Sequence, residues 1–372
     1  MSAGSPTRAI QPLHYTVRRS PYFERTLGAG AVDFMVYNHT YMPLDYGRDA
    51  REDYDALVDR VTLWDVGAER QTELRGPDAL KLADYLSPRD LSGMAVGDCK
   101  FSPVCDDAGE IMAECIVLRP WEDVVWFSHS SVDLTLWAIG HGRWLGLDAT
   151  ATEPDVAPLQ LQGPAAGEVM GAVTPGVEAL PRYRCAQLQV AGVDAVVSNT
   201  GWSREAGYEI YPLSSERAEE LWDALVEAGE PHGLLVTGPI IIRAVEQAIS
   251  DTQYVTNSQM NPIEAGMEAM LDLDGAPFAG REALRAVRER GPARRTIGLR
   301  CDAPQFGRME RFWPLAAGGA EVGVVRWAVY SFALDANIAI ALVDATVPDD
   351  ATFAVRAPDG DRAARVHPLP FV

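Results

Sequence analysis

A strand–helix–strand pattern predicted over about residues 60–150 recurs over about residues 155–230. The turn residues Asp-Asp-Ala-Gly at 106–109 join two strand-like runs and are typical of a β-hairpin, so the sheets should be mixed or antiparallel. This repetition predicts two similar αβ domains. A chain of 372 residues is also too long for one compact core and suits two or three domains.

The C-terminal part of the chain has a different character. A linker is predicted at residues 288–292, and from Thr296 onward nearly all of the sequence is strand-like. Its β runs and turn signals indicate a small all-β domain, either a sandwich or a barrel. We therefore predict an α+β fold. Its αβ region covers residues 1–290, with two interleaved subdomains at about 30–150 and 151–290, and its β domain covers 291–372.

Charge and cysteine use argue against several classes of protein. The net charge of −21 gives a field that repels phosphate backbones and anionic membranes, so neither nucleic acid nor a membrane is the expected partner. The five cysteines show no CxxC and the six histidines no HxxxH or HxH, which predicts free thiols and no metal site. We find no signal peptide or long apolar run and expect a cytoplasmic protein.

The stretch SNTGWSREAGYEIY, residues 198–211, carries the clearest chemical pattern. After a glycine turn it supplies an aromatic residue and a carboxylate, Trp202 and Glu205, and then a second aromatic–carboxylate pair, Tyr208 and Glu209. An aromatic face can stack on a flat heterocycle, and a carboxylate can accept two parallel N–H bonds from its edge. The pattern therefore favours a pocket for an amide-bearing ring, with an ordinary polar turn as the alternative.

This stretch resembles the GYTGEDGFEIY signature of the aminomethyltransferase, or T-protein, of the glycine cleavage system. Glu205 stands at the carboxylate that holds the pterin in that family. Other segments resemble the family in the same order, namely LWDV at 63–66, RGPDA at 75–79, LQGP at 161–164, NPIEAG at 261–266 and FAGREAL at 278–284. The resemblance covers nearly the whole chain and implies a three-domain cloverleaf with a small C-terminal barrel and tetrahydrofolate in a central channel.

Within this family the chain is similar to the demethylase branch, which includes dimethylsulfoniopropionate demethylase and folate-dependent aromatic O-demethylases. The segments concerned are VYNH at 36–39, WDVGAERQ at 64–71, SPRDL at 87–91 and EPDVAPL at 153–159. They imply transfer of a methyl group from a small S-, O- or N-methylated substrate to N5 of tetrahydrofolate. Two alternatives are a T-protein scaffold recruited to another, folate-independent reaction and a non-catalytic folate-binding protein.

The resemblance also implies roles for individual residues. An ether donor needs a proton on its departing oxygen, and the candidates to supply it are Tyr37 and His39. The expected folate-binding residues are Glu205, Trp202, Phe101, Tyr208 and Arg243. The expected substrate-binding residues are Asn38 and Tyr254. The partners are then folate and a small molecule, and a homodimer remains open.

Three positions depart from the family pattern. Ala113 stands where the first of two aspartates is expected, so a lipoyl carrier protein is not an expected partner. Arg243 is one place early relative to the arginine of the family's R-L-E segment, and Ala244 occupies that position. Residues 252–255, TQYV, replace a Y-G-N-D stretch on the substrate side. The last departure points to a substrate that is neither glycine-derived nor dimethylsulfoniopropionate.

Overall fold

The structure is a computed structural model that describes residues 16–251 and 259–372. The first strands are β1 (Arg18–Arg19), β2 (Asp33–Tyr37), β3 (Thr40–Asp45), β4 (Thr62–Asp65), β5 (Arg70–Arg75), β6 (Cys99–Cys105), β7 (Ile111–Trp121), β8 (Val124–His129) and β9 (Thr150–Thr152). The next are β10 (Leu159–Gln162), β11 (Cys185–Val190), β12 (Val193–Ser198), β13 (Gly207–Pro212) and β14 (Leu235–Thr237). The C-terminal strands are β15 (Arg294–Cys301), β16 (Trp313–Ala317), β17 (Ala320–Ser331), β18 (Ala336–Asp344), β19 (Phe353–Ala357) and β20 (Gly360–His367).

The helices of the described residues lie mostly in the αβ region. They are α1 (Phe23–Gly28), α2 (Ala50–Asp59), α3 (Ala79–Leu86), α4 (Leu134–Leu145), α5 (Ala166–Val173), α6 (Ala218–Gly229), α7 (Ile241–Glu246) and α8 (Arg281–Arg290). Among these described helices we find no candidate for a membrane span.

Two sheets share one topology, which confirms the repetition predicted from the sequence. Their strand orders are β6-β7-β8-β5-β9 and β11-β12-β13-β10-β4-β14. In each repeat a strand leads through a helix into a three-stranded antiparallel meander, then through a second helix into a last strand. The second sheet also takes in β4, which precedes both repeats in the chain, so the two units are interleaved.

In each repeat, a glycine with a positive φ angle comes just before the first helix. Gly76 has φ of 133° and Gly163 has φ of 130°, and each is followed by a proline. A Cβ at Gly76 would lie 2.5 Å from the carbonyl oxygen of Asp148, and one at Gly163 would lie 2.6 Å from that of Arg60. Both the backbone conformation and the lack of space require glycine. The RGPDA and LQGP motifs therefore serve strand–helix turns.

Residues 31–41, which the sequence suggests as one strand, form parts of a hairpin instead. The chain reverses at Asn38 and His39, whose φ angles are 48° and 59°, and β2 pairs with β3 in antiparallel register. Asn38 holds this turn, because its Oδ1 accepts from the backbone N–H of Val132 at 3.0 Å and its Nδ2 donates to the carbonyl of Ala68 at 3.1 Å.

The C-terminal domain is a closed six-stranded barrel with strand order β15-β18-β17-β16-β19-β20. Its core is apolar and includes Leu299, Leu315 and Phe353. Helix α7 packs against β17 and β18, and the buried carboxylate of Glu246 accepts a hydrogen bond of 2.6 Å from Ser331 of the barrel. The barrel is thus fixed to the αβ region rather than attached only by a linker.

Candidate functional site

A cavity of about 1060 Å³ lies where the two repeats and the C-terminal barrel meet. The first repeat contributes residues of β6, β7 and β8, and the second contributes residues of β10 and β13. The remaining wall includes residues 248–251 and 265–267, Thr296 of the barrel, and Leu369 and Pro370 near the C-terminus. All parts of the fold therefore converge on this large cavity.

A smaller pocket of about 60 Å³ adjoins the large cavity. Five residues belong to the walls of both, namely Tyr37, Glu69, Gln160, Trp202 and Asp251. The other residues of the small pocket are mainly apolar or aromatic: Met35, Met42, Leu44, Trp64, Val66, Pro239, Ile241 and Trp327. The site thus consists of a large polar compartment and a small aromatic one that share a wall.

Strand register builds the shared wall. Gln160 of β10 is paired across the sheet with Trp64 of β4 on one side and with Glu209 of β13 on the other. The neighbouring row, Leu161 with Leu63 and Tyr208, lies in the hydrophobic core beneath α5 and α6. Because successive side chains of a strand point to opposite faces, one face of this sheet carries the core and the other carries the site.

Glu209 is a carboxylate in the wall of the large cavity that several hydrogen bonds hold in place. It is buried, and its Oε1 accepts a hydrogen bond of 2.8 Å from Nε2 of Gln160. Its Oε2 accepts from the hydroxyls of Thr200 and Tyr211. Burial raises the pKa of Glu209, and these hydrogen bonds lower it in part. Since a carboxylate can accept about four hydrogen bonds, Oε1 keeps capacity for a ligand N–H group.

Further acidic groups surround the shared wall. Burial, together with the charges of Glu209 and Asp251, raises the pKa of Glu69 well above its ordinary value. The side chain of Glu69 lies near the same amide of Gln160, which lowers this pKa in part. Burial and nearby acidic groups likewise raise the pKa of Tyr37. This end of the site therefore disfavours negative charge and holds its hydroxyl proton firmly.

The opposite wall of the large cavity is formed by the first repeat. Phe101 on β6 and Glu114 on β7 line it, whereas Ala113 lies in the hydrophobic core behind it. The carboxylate on this strand thus stands one residue after the position at which the family pattern expects aspartate. His129 on β8 is also in the wall, and burial lowers its pKa to about 4. It is neutral at physiological pH.

Positive charge occurs elsewhere in the wall of the large cavity. Arg89, Lys100 and Arg204 line it, although the protein as a whole carries a net charge of −21. The guanidinium of Arg89 donates to the carbonyl of Phe101 at 2.9 Å, which ties this cation to the aromatic wall. The large cavity can therefore accommodate a ligand with carboxylate groups.

Three residues predicted from the sequence line the site. Tyr37, Phe101 and Trp202 all belong to the walls, and Trp202 belongs to both compartments. The indole of Trp202 packs beside that of Trp327 of the barrel, with ring centroids 6.1 Å apart. Of the aromatic residues predicted to contact folate, Phe101 and Trp202 therefore line the large cavity.

Other predicted site residues lie outside the walls. His39 is exposed, with 66% of its side chain accessible, and faces Asp133 at 3.9 Å, because the turn directs it away from the site. Asn38 uses its side chain to hold that turn and offers no obvious ligand contact. Tyr208 lies in the core, since it alternates with Glu209 along β13. The prediction for Tyr254 concerns a position outside the described residues.

Glu205 and Arg243 form an ion pair. The guanidinium of Arg243 donates to Oε1 of Glu205 from Nε at 2.7 Å and to Oε2 of Glu246 from Nη1 at 3.1 Å. Neither Glu205 nor Arg243 is among the described residues that line the two compartments. Contact of either residue with folate stays a prediction.

Sequence reasoning assigned no site role to Gln160, Glu69, Trp64 and Trp327, and it included Glu209 in the aromatic–carboxylate pattern without predicting it as a folate-binding residue. For Glu209 a signal was present, because the alternation of β13 makes Tyr208 and Glu209 point to opposite faces. Gln160 lies in the alternating run LQLQ, which gives the same signal. Trp327 comes from a separate domain, so its position depends on domain packing that no local pattern reveals.

Comparison with known proteins gives a consistent result over nearly the whole chain. The GCVT N-terminal domain family matches residues 22–275, and the glycine cleavage T-protein C-terminal barrel domain matches residues 294–372. Dimethylsulfoniopropionate demethylase DmdA of Ruegeria pomeroyi is 33% identical over 94% of this chain and 96% of its own length. An aminomethyltransferase of Symbiobacterium thermophilum is 30% identical over 89% of this chain and 90% of its own length.

A solved structure shows the same fold. The glycine cleavage system aminomethyltransferase T from Bartonella henselae superimposes with a TM-score of 0.85 at 22% sequence identity. The match covers 96% of this chain and 98% of the other.

Proposed function

Since this chain belongs to the glycine cleavage T-protein family, we propose that it is a tetrahydrofolate-dependent methyltransferase. It would move a methyl group from a small methylated donor to N5 of tetrahydrofolate. The observation that carries the proposal is the pair of compartments that share Tyr37, Glu69, Gln160, Trp202 and Asp251 as a common wall. A ligand in each compartment would contact the same five side chains, which brings the two ligands close together.

The large cavity has the chemistry that a reduced folate requires. The amino-pyrimidone edge of a pterin presents N–H donors, and Glu209 and the carbonyl of Gln160 are acceptors in the wall. Phe101 and Trp202 provide flat apolar surfaces against which rings can pack. Arg89, Lys100 and Arg204 supply positive charge for the glutamate end of a folate. These residues would bind and orient the acceptor.

The transfer itself is a displacement at the methyl carbon. The bond from this carbon to the donor atom breaks and leaves its electron pair on the donor, a bond to nitrogen forms, and the nitrogen loses its proton. Most of the catalysis then comes from holding the two reactants about 3–3.5 Å apart in line. A sulfonium or quaternary ammonium donor departs as a neutral molecule and needs no acid. For an ether donor, Tyr37 is the hydroxyl-bearing residue of the shared wall, and its raised pKa makes it a weak acid for protonating the departing oxygen.

The proposal is tested by incubating the protein with tetrahydrofolate and a panel of S-, O- and N-methylated compounds, and detecting 5-methyltetrahydrofolate by mass spectrometry. Methyl transfer is the expected result. Binding of tetrahydrofolate without transfer from any donor would indicate a non-catalytic folate-binding protein. Failure to bind tetrahydrofolate would instead support the recruited, folate-independent scaffold.

A further inference from the structure

The small pocket has walls of a distinctive composition. Its rings are those of Trp64, Trp202, Trp327 and Tyr37, and methionine and aliphatic side chains fill the spaces between them. Aromatic faces carry negative electrostatic potential and attract cations that have few hydrogen-bond donors, such as quaternary ammonium groups. Two acidic residues, Glu69 and Asp251, complete the same pocket. Among its described lining residues none is Arg, Lys or His.

The size of the pocket restricts what can enter it. A volume of about 60 Å³ corresponds to roughly four to six heavy atoms, because one water-sized atom needs about 10–15 Å³ on this scale. A trimethylammonium or dimethylsulfonium head fits this space, and the remainder of a larger donor would extend into the adjoining large cavity.

We propose that the small pocket binds a permanently cationic, N- or S-methylated donor whose other substituents are uncharged. The cation lies among the indole rings beside Glu69, and a carboxylate arm, as in a betaine-type zwitterion, is disfavoured by the two acidic groups. That the bound cation is a methyl donor rests on the proposed methyl transfer. The selectivity of the pocket for cations does not, and it can be measured without any transfer.

Three probes of similar size separate charge from shape. Choline is the cationic probe, 3,3-dimethyl-1-butanol is its neutral isostere, and glycine betaine is a zwitterion with the same head group. Their dissociation constants are measured with the full-length protein by calorimetry or ligand-observed NMR, without folate. We expect choline to bind at least about tenfold more tightly than either of the other two.

A variant pair then locates the effect. Burial raises the pKa of Glu69, and a cation bound beside it favours the ionised form. Glu69→Gln keeps the shape of the side chain but cannot ionise next to the cation, and Glu168→Gln makes the same change on the exposed surface of α5. We expect Glu69→Gln to reduce the preference for choline over its neutral isostere at least about fivefold and Glu168→Gln to leave it unchanged.

Absence of choline binding, equal binding of the neutral isostere, or tighter binding of betaine to the wild-type protein would each overturn the inference. An unchanged preference in Glu69→Gln would do the same. Tetrahydrofolate binding is measured in parallel on the same samples. If folate does not bind but choline selectivity persists, the proposed function fails while the cation-binding pocket stands.

Discussion

Gln160 donates a hydrogen bond of 2.8 Å from its side-chain amide to Oε1 of Glu209, its direct neighbour on the adjacent strand. The carbonyl oxygen of the same amide accepts from the backbone N–H of Trp202 at 3.3 Å. Both contacts fix the orientation of the amide, and with it the position of the acidic group and of the indole. The two compartments therefore share a wall whose polar and aromatic members are held together by one side chain.

Tyr37→Phe tests whether the hydroxyl of Tyr37 is needed for transfer from an onium donor, as it would be for an ether donor. The substitution keeps the ring that lines both compartments and removes only the hydroxyl. Because an onium donor departs without a proton, we expect its rate of methyl transfer to change by less than about threefold. A loss of about a hundredfold with an onium donor, measured as kcat, would show that the hydroxyl takes part in the chemistry.

Asp65→Asn tests how burial of a carboxyl group affects stability. Asp65 accepts from the backbone N–H of Gly67 at 2.9 Å and from the hydroxyl of Ser20, and burial raises its pKa to about 6. Between about pH 4 and pH 6 the unfolded chain ionises this group before the folded one does, so the wild-type protein loses stability as the pH rises. A shift of about 2 pH units corresponds to about 3 kcal/mol.

The asparagine side chain cannot ionise, so the variant does not lose this stability as the pH rises. The free energy of unfolding of Asp65→Asn minus that of the wild-type protein should therefore increase by about 3 kcal/mol between about pH 3.5 and pH 7. Urea denaturation at a series of pH values measures it. A difference that stays constant with pH would show that the carboxyl group has an ordinary pKa in the folded protein.

Glu246→Gln tests the contact between α7 and the barrel. The buried carboxylate of Glu246 accepts from Tyr54 at 2.7 Å, from Ser331 at 2.6 Å and from Arg243 at 3.1 Å. Removing its charge leaves Arg243 with a single acidic partner, Glu205, and we expect a loss of about 3 kcal/mol in the free energy of unfolding. Tyr54→Phe, which deletes one hydrogen bond, should cost only about 1 kcal/mol. Equal losses in the two variants would contradict the importance of the charge.

The αβ elements could be predicted because their patterns are local. The turn at 106–109 and the apolar face of α6 follow from residues within a few positions of each other. The glycine-proline turns at Gly76 and Gly163 are also local, and each marks the start of a helix in one of the two repeats. The hairpin at Asn38 was missed, because neither residue of its turn is glycine and the strand-forming residues continue on both sides.

The site was less accessible to sequence reasoning. Family resemblance directed attention to Glu205, whereas strand alternation and the pairing of β13 with β10 place Glu209 in the wall of the large cavity. Arg243 was expected to contact folate, and its position on α7 pairs it with Glu205 and Glu246. Such pairing depends on how the helix packs against the barrel, which no local pattern specifies.

Calorimetric titration of tetrahydrofolate into the wild-type protein, Glu209→Gln and Glu205→Gln tests most directly whether the large cavity holds a reduced folate. We predict that the wild-type protein binds, that Glu209→Gln weakens binding at least about tenfold, and that Glu205→Gln changes it by less than about threefold. No binding to the wild-type protein would contradict the folate assignment. Loss of binding in Glu205→Gln with full binding in Glu209→Gln would contradict the wall described above.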